Sequence, residues 1–289
     1  MKIKVLGSGG CVPLPLPTCF CHVCEEARNK GVPYSRGGCS IFVEDINTLV
    51  DTPEDSINVL NRERISKVDN ILYSHWDPDH TLGMRVIEAL KLRWLDLLVK
   101  GEKNKDKINV YALKEVIEDL KAIKNKFGSY LDYYEGQKLI CINEVNEFKS
   151  VSIGSFKITF VPVNNDGVAT VFIIENEGKK LIYAPCDIKP FPIKLDVIKN
   201  ADMLILGNVI PDEPLKDEYS IPNDNVMKRI MFTINEVIDI RKSINAKEVI
   251  ITHIEEDWGK SFDDYIRLEE KYKEHNIKFA YDGMQIEII

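Results

Sequence analysis

The chain has 289 residues, 44% of them hydrophobic and 29% charged, and a formal net charge of −8. This is the composition of a globular protein long enough to bury a sizeable core, as one large domain or two small ones. The negative balance argues against a general nucleic-acid or anionic-membrane surface, and no apolar run approaches the ~20 residues of a membrane span.

In chain order, the first predicted strand is Ile3–Leu6. It is too short for the h-region of a signal peptide, so a cytoplasmic location is expected. It runs into Gly7-Ser8-Gly9-Gly10, which lacks the third glycine of a nucleotide loop because Val12 stands there. Strands follow at Ser40–Glu44 and Thr48–Asp51, split by the turn Asp45-Ile46-Asn47, and at Asn70–Ser74. Thr81 to about Leu98 has helical spacing, with Leu82, Val86, Ile87, Leu90 and Trp94 on one face, and Trp76 and Trp94 are expected in the core. A polar turn at Gly101–Lys107, a strand at Ile108–Tyr111 and an amphipathic helix near Leu113–Lys126 come next. Strand-rich sequence then covers Lys138–Tyr183, with Phe156–Val161, Ala169–Glu175 and Lys180–Tyr183 inside it. The last part reads as a strand at Asp202–Leu206, a helix from about Asn225 to Ser243 and a strand at Glu248–Thr252. A helix near Phe262–Lys273 and strands at Lys278–Tyr281 and Gln285–Ile288 close it. Periodicity supports an α/β or α+β fold, and the order suits two sheets face to face with helices outside.

Two segments carry chemistry. Among only five histidines, His75 and His80 flank two carboxylates in His75-Trp76-Asp77-Pro78-Asp79-His80. Imidazole and carboxylate bind Zn²⁺, Fe²⁺ or Mn²⁺, and on a turn after a strand such spacing lets His75, Asp77, Asp79 and His80 converge. A surface turn in which Asp79 caps a helix needs one oxygen, not two histidines and two aspartates. Cys19-Phe20-Cys21-His22-Val23-Cys24 brings three thiols together at a spacing typical of structural zinc, which takes four tetrahedral ligands. In a cytoplasmic chain the seven cysteines are expected as ligands or core residues rather than disulfides, with Cys11, Cys141 and Cys186 as small buried hydrophobes.

The first segment resembles the H-x-H-x-D-H signature of the metallo-β-lactamase superfamily. Leu49-Val50-Asp51-Thr52 resembles that family's upstream strand end, Asp187 its metal-bridging aspartate, and His253 its last histidine ligand. The glycine loop, the cysteine cluster and Tyr281-Asp282-Gly283-Met284-Gln285-Ile286 are most similar to the phosphoribosyl cyclic phosphate phosphodiesterase branch. The resemblance implies an α+β fold, a four-layer αββα sandwich, as a single domain over 1–289 with a cysteine-rich metal loop at 19–39. It implies one metal site of His75, Asp77, Asn165 and Asp187, and a second of Asp79, His80, His253 and the bridging Asp187. Asp79, His80 and Asp187 would be catalytic. Asp77 and Asn165 stand where the family has histidines, which makes the first site oxygen-rich and suited to harder ions. The fourth ligand of the cysteine cluster falls at Glu256, with His22 and Cys39 as alternatives.

The function implied is a metal-dependent hydrolase, a phosphodiesterase for a small phosphorylated or cyclic phosphate substrate. It would use one or two Zn, Mn or Fe ions in the active site and a structural zinc in the cluster. Nucleic acid and membrane are not expected partners, and a homodimer is compatible with this reading. The competing readings are a metal-binding scaffold or sensor that lost hydrolysis, and an iron-dependent cofactor-biosynthesis protein of the same fold.

Overall fold

The computed structural model describes residues 1–101, 106–164 and 167–289. Most of the polar turn expected at Gly101–Lys107 lies outside the described residues. Two seven-stranded sheets dominate. The first runs in the order Gln285–Glu287, Lys2–Gly7, Ser40–Val43, Thr48–Val50, Asn70–Leu72, Ile108–Leu113 and Ile140–Val145. The second runs Ile277–Phe279, Glu248–Ile251, Met203–Leu206, Lys179–Ala184, Val168–Asn176, Phe156–Asn164 and Ser150–Ile153. Each sheet is half parallel and half antiparallel.

Alternation along the strands of the second sheet explains the layering, because successive side chains point to opposite faces. Phe160, Phe172, Leu181, Tyr183, Ile205 and Ile250 share one core with Val5, Ile41, Leu49, Ile71 and Val110 of the first sheet. Their neighbours Val161, Val171, Ile182, Leu204 and Val249 belong to a second core with Val237, Ile240, Tyr265 and Leu268, from helices Ile234–Ile244 and Phe262–Lys271. Helices Ser56–Arg62, Val86–Lys91 and Lys114–Ala122 add Leu60, Ile87 and Ile117 to the first core. The result is the αββα sandwich. No helix among the described residues is long and apolar enough to cross a membrane.

Several boundaries differ from the sequence reading. The helix expected over Thr81–Leu98 is broken into Pro78–Thr81, a 3₁₀ turn at Leu82–Arg85, Val86–Lys91 and a π turn at Leu95–Val99. The cause of the first break is tight anchoring. Thr52 N–H donates to His80 O and Gly83 N–H donates to Thr52 O, both at 2.8 Å, and a Cβ on Gly83 would overlap the Pro53 carbonyl. Leu92 is extended, with ψ 112°, and ends the helix. Leu82 and Trp94, placed on the buried face by spacing, are exposed, as is Trp76. The helix expected from about Asn225 is split into Met227–Ile230 and Ile234–Ile244 by the short strand Phe232–Thr233, and Thr233 and Glu236 form a capping box at the start of the second part. Cys11 is exposed and Cys141 half-buried, so neither is a core residue.

Gly83→Ala is expected to destabilise the protein by about 1–3 kcal/mol through overpacking. Chemical denaturation checks this, and an unchanged midpoint would show that the Pro53 contact relaxes freely.

Candidate metal centre

Each strand that ends beside the site contributes a loop. Asp51 follows Thr48–Val50, the segment His75–His80 follows Asn70–Leu72, Cys186 and Asp187 follow Lys179–Ala184, Asn208 follows Met203–Leu206 and His253 follows Glu248–Ile251. Within each sheet these strands are parallel, so the loops leave from one edge, where α/β sheets commonly bind ligands. Asp51, Asp187, Asn208 and His253 have φ of 63°, 52°, 56° and 53°. This left-handed backbone is costly for residues other than glycine and persists where the surroundings over-determine it.

The histidines are oriented from behind. His80 Nδ1 lies 2.9 Å from Asp51 Oδ2, and His75 Nδ1 lies 2.9 Å from Ser74 Oγ. Ser74 Oγ in turn donates to Asp51 Oδ2 and Ser74 N–H to Asp51 Oδ1, both at 2.7 Å. A carboxylate on the rear nitrogen fixes the tautomer and leaves the other lone pair facing forward. Nε2 of His75 and of His80 are both buried with no hydrogen-bond partner. Buried polar atoms are ordinarily paired, so two unpaired imidazole nitrogens aimed at one point fit a cation. The His80 and His253 rings stack at 5.3 Å with an interplanar angle of 6°.

The donor atoms fall into overlapping groups in which all lie within 4.8 Å of one another. One is Asp79, His80 and His253, with His253 Nε2 3.2 Å from Asp79 Oδ2. Another is His75, Asp77, Cys186 and Asp187, and a third is His75, His80 and Cys186. These groups bring together most of the residues expected from the sequence, and they depart from that expectation in two ways. Asn165 lies outside the described residues. Asp187 groups with His75 and Asp77 but not with Asp79, His80 and His253, whereas Cys186, read from sequence as a core residue, is buried but groups with both His75 and His80.

Electrostatics agree with this placement. Burial pushes the Cys186 thiol up, but His253, His75 and His80 reverse that and hold it well below its ordinary range. Burial disfavours protonated His75, yet Asp77 and Cys186 raise it to about 10. Burial also lowers His253, while Cys186 and Asp79 carry it well above its usual value. Positive charge is favoured where the ring nitrogens, thiol and carboxylates meet, which is the field a divalent cation needs. Asn208 Nδ2 lies 3.3 Å from Cys186 Sγ and supports it from the next strand end.

The cysteine cluster forms separately. Cys19, Cys21, Cys24 and Glu256 all bring donor atoms within 4.8 Å of one another. Glu256 Oε1 lies 3.8, 3.4 and 3.5 Å from the three sulfurs. Its Oε2 is buried and unpartnered, and Lys216 Nζ lies 2.6 Å from Oε1. His22 and Cys39 are not in the group, and Cys39 instead contacts Tyr183 and Thr252. Three thiols and a carboxylate make a donor set that fits zinc.

A family model for the beta-lactamase superfamily domain matches residues 46–254. The chain belongs to the metallo-β-lactamase superfamily. The matched span holds every residue of the histidine centre but not Cys19–Cys24 or Glu256. Solved structures similar to the chain include a diphosphatase from the PhnP family, at 21% identity and TM-score 0.72 over 99% of this chain and 96% of that one. Zn²⁺-bound PqqB from Methylobacterium extorquens is similar at 16% identity and TM-score 0.72, with both chains covered completely. The short form of human tRNase Z is similar at 15% and 0.65, again over both whole chains. At these identities the likeness is one of fold. A search of curated proteins finds no match to the sequence.

Proposed function

We propose that this superfamily member is a metal-dependent hydrolase of phosphodiester bonds, acting on a small phosphorylated or cyclic phosphate molecule. The observation that carries the reading is the convergence of unpaired His75 and His80 Nε2 atoms with Cys186, the three aspartates and His253. Likeness of fold to a PhnP-family diphosphatase and to tRNase Z supports phosphorus as the reacting atom. The chain would act as one domain over 1–289, with the loop at 19–39 holding a structural zinc, and would work in the cytoplasm. A homodimer is compatible with this.

In this reading His75, Asp77, Cys186 and Asp187 hold one ion, with Asn165 as a further ligand proposed from the sequence. Asp79, His80 and His253 hold the second. A bound divalent metal lowers the pKa of water towards ~7 and neutralises charge on phosphate oxygens. The chain's own part is to position and to hold protons. Asp51 fixes the His80 ring directly and the His75 ring through Ser74. Asp79, 3.2 Å from His253 Nε2, is kept ionised at neutral pH despite its burial by His253 and His80, so it can accept a hydrogen bond from the attacking water. Cys186 also changes the metal preference expected from the sequence, because a thiolate favours Zn²⁺ or Fe²⁺ over Mn²⁺ or Mg²⁺.

The test is hydrolysis of bis-p-nitrophenyl phosphate. Activity is expected to vanish after chelation and to return with Zn²⁺ or Fe²⁺ more fully than with Mg²⁺. Protein with all metals restored and no turnover on any phosphodiester would favour the scaffold or sensor reading. Cys186 and the carboxylates also suit iron, which favours an iron-dependent oxidoreductase as the second reading. A visible absorption band in protein as purified would point to it, whereas a zinc hydrolase is colourless.

A further inference from the structure

Glu255 groups with His253 and the exposed Cys11, and not with His75, Asp79, His80 or the cysteine cluster. It sits directly behind His253. Its Oε1 is 3.1 Å from His253 Nδ1, at ion-pair distance but off the ring N–H direction, and its Oε2 accepts the Cys11 backbone N–H at 3.0 Å. The carboxylate is largely buried, with 13% of its side chain exposed. The glycine loop holds it there. Gly10 N–H donates to Ile254 O and Ile254 N–H donates to Ser8 O, both at 2.9 Å, so the loop is zipped to the His253 segment. Gly10 faces the carboxylate so closely that a Cβ would overlap it. The glycine at this position is therefore explained by Glu255 rather than by a nucleotide.

We infer that Glu255 is a positioning residue that fixes the tautomer and ring orientation of His253, with Gly10 providing the space for it. The inference rests on the metal-centre reading. Each imidazole then has an oxygen beside Nδ1: Ser74 Oγ and Asp51 Oδ2 in hydrogen bonds with His75 and His80, and Glu255 Oε1 at ion-pair distance from His253, whose Nε2 faces Asp79. Glutamate also suits the loop, since its second oxygen satisfies the Cys11 N–H. An amide at 255 has one acceptor oxygen and cannot serve both donors.

Two variants and two readouts test this. Zn²⁺ affinity is measured by competition with a chromophoric chelator in wild type, Glu255→Gln and Gly10→Ala, with His253→Ala as the reference in which this ligand is missing. Nitrogen NMR of the metal-free proteins reports the His253 tautomer. Loss of an outer-shell partner typically weakens metal binding 10–100-fold. That loss is expected in Glu255→Gln and in Gly10→Ala, together with a His253 ring that no longer holds its proton on Nδ1. A lowered melting temperature with wild-type zinc affinity and tautomer in both variants would reduce Glu255 to a loop anchor and overturn the inference. Failure of the wild type itself to bind zinc more tightly than His253→Ala would instead overturn the metal-centre reading.

Discussion

Cys186→Ser is expected to weaken zinc binding at the histidine centre by about 100-fold or more. Outer-shell partners alone are worth about 10–100-fold, and Cys186 offers its sulfur within 4.8 Å of ligand atoms of both His75 and His80. Serine keeps the volume and leaves Asn208 Nδ2 a partner, but its hydroxyl stays neutral where the thiol is held well below its ordinary range. The same change hardens the donor set, so preference for Zn²⁺ over Mn²⁺ should fall by at least about 10-fold. Chelator competition with each metal measures both effects. Unchanged zinc affinity would return Cys186 to the role of a small core residue and leave His75, Asp77 and Asp187 as that group's ligands.

The second large effect is expected at Asp51, a fully buried carboxylate that accepts from Ser74 N–H and Ser74 Oγ and faces His80 Nδ1. Asp51→Ala strands all three groups in the interior. Removing one partner from a buried charged pair costs about 3–5 kcal/mol, which at roughly 2–4 °C per kcal/mol lowers the melting temperature by ~6–20 °C. Asp51→Asn keeps one acceptor oxygen and should cost about 1–3 kcal/mol. Both variants should lose at least about 10-fold in metal affinity, because the His75 and His80 rings lose their common anchor. A stable Asp51→Ala protein with wild-type affinity would show that packing alone orients the histidines.

Much of this centre was legible from spacing because chemistry and turn geometry coincide in one short segment. Two histidines and two aspartates around Pro78 have few roles other than convergence. The sheets were legible as well, since alternation along Phe156–Val161 and Lys180–Tyr183 reports two buried faces. The helix after the metal loop was not, although Leu82, Val86, Ile87, Leu90 and Trp94 have helical spacing. Its path is set by hydrogen bonds from Thr52 and Gly83 that join residues distant in sequence. Cys186 escaped for a related reason. It and Asp187 leave the same strand end, and no spacing rule separates adjacent residues there. The left-handed turn at Asp187, φ 52°, distinguishes them, and only the folded backbone reveals it. Glu256 was found through resemblance, and the three Sγ distances to its carboxylate give that choice a geometric basis over His22 and Cys39.

Elemental analysis of wild type and His80→Ala, both purified without chelator, tests the central claim most directly. With the cysteine cluster and the histidine centre both loaded, wild type should carry about two to three divalent metals per chain, and His80→Ala should lose at least one of them. About one zinc per chain in both proteins would mean that the cysteine cluster alone binds metal, and it would contradict the assignment of the histidine centre.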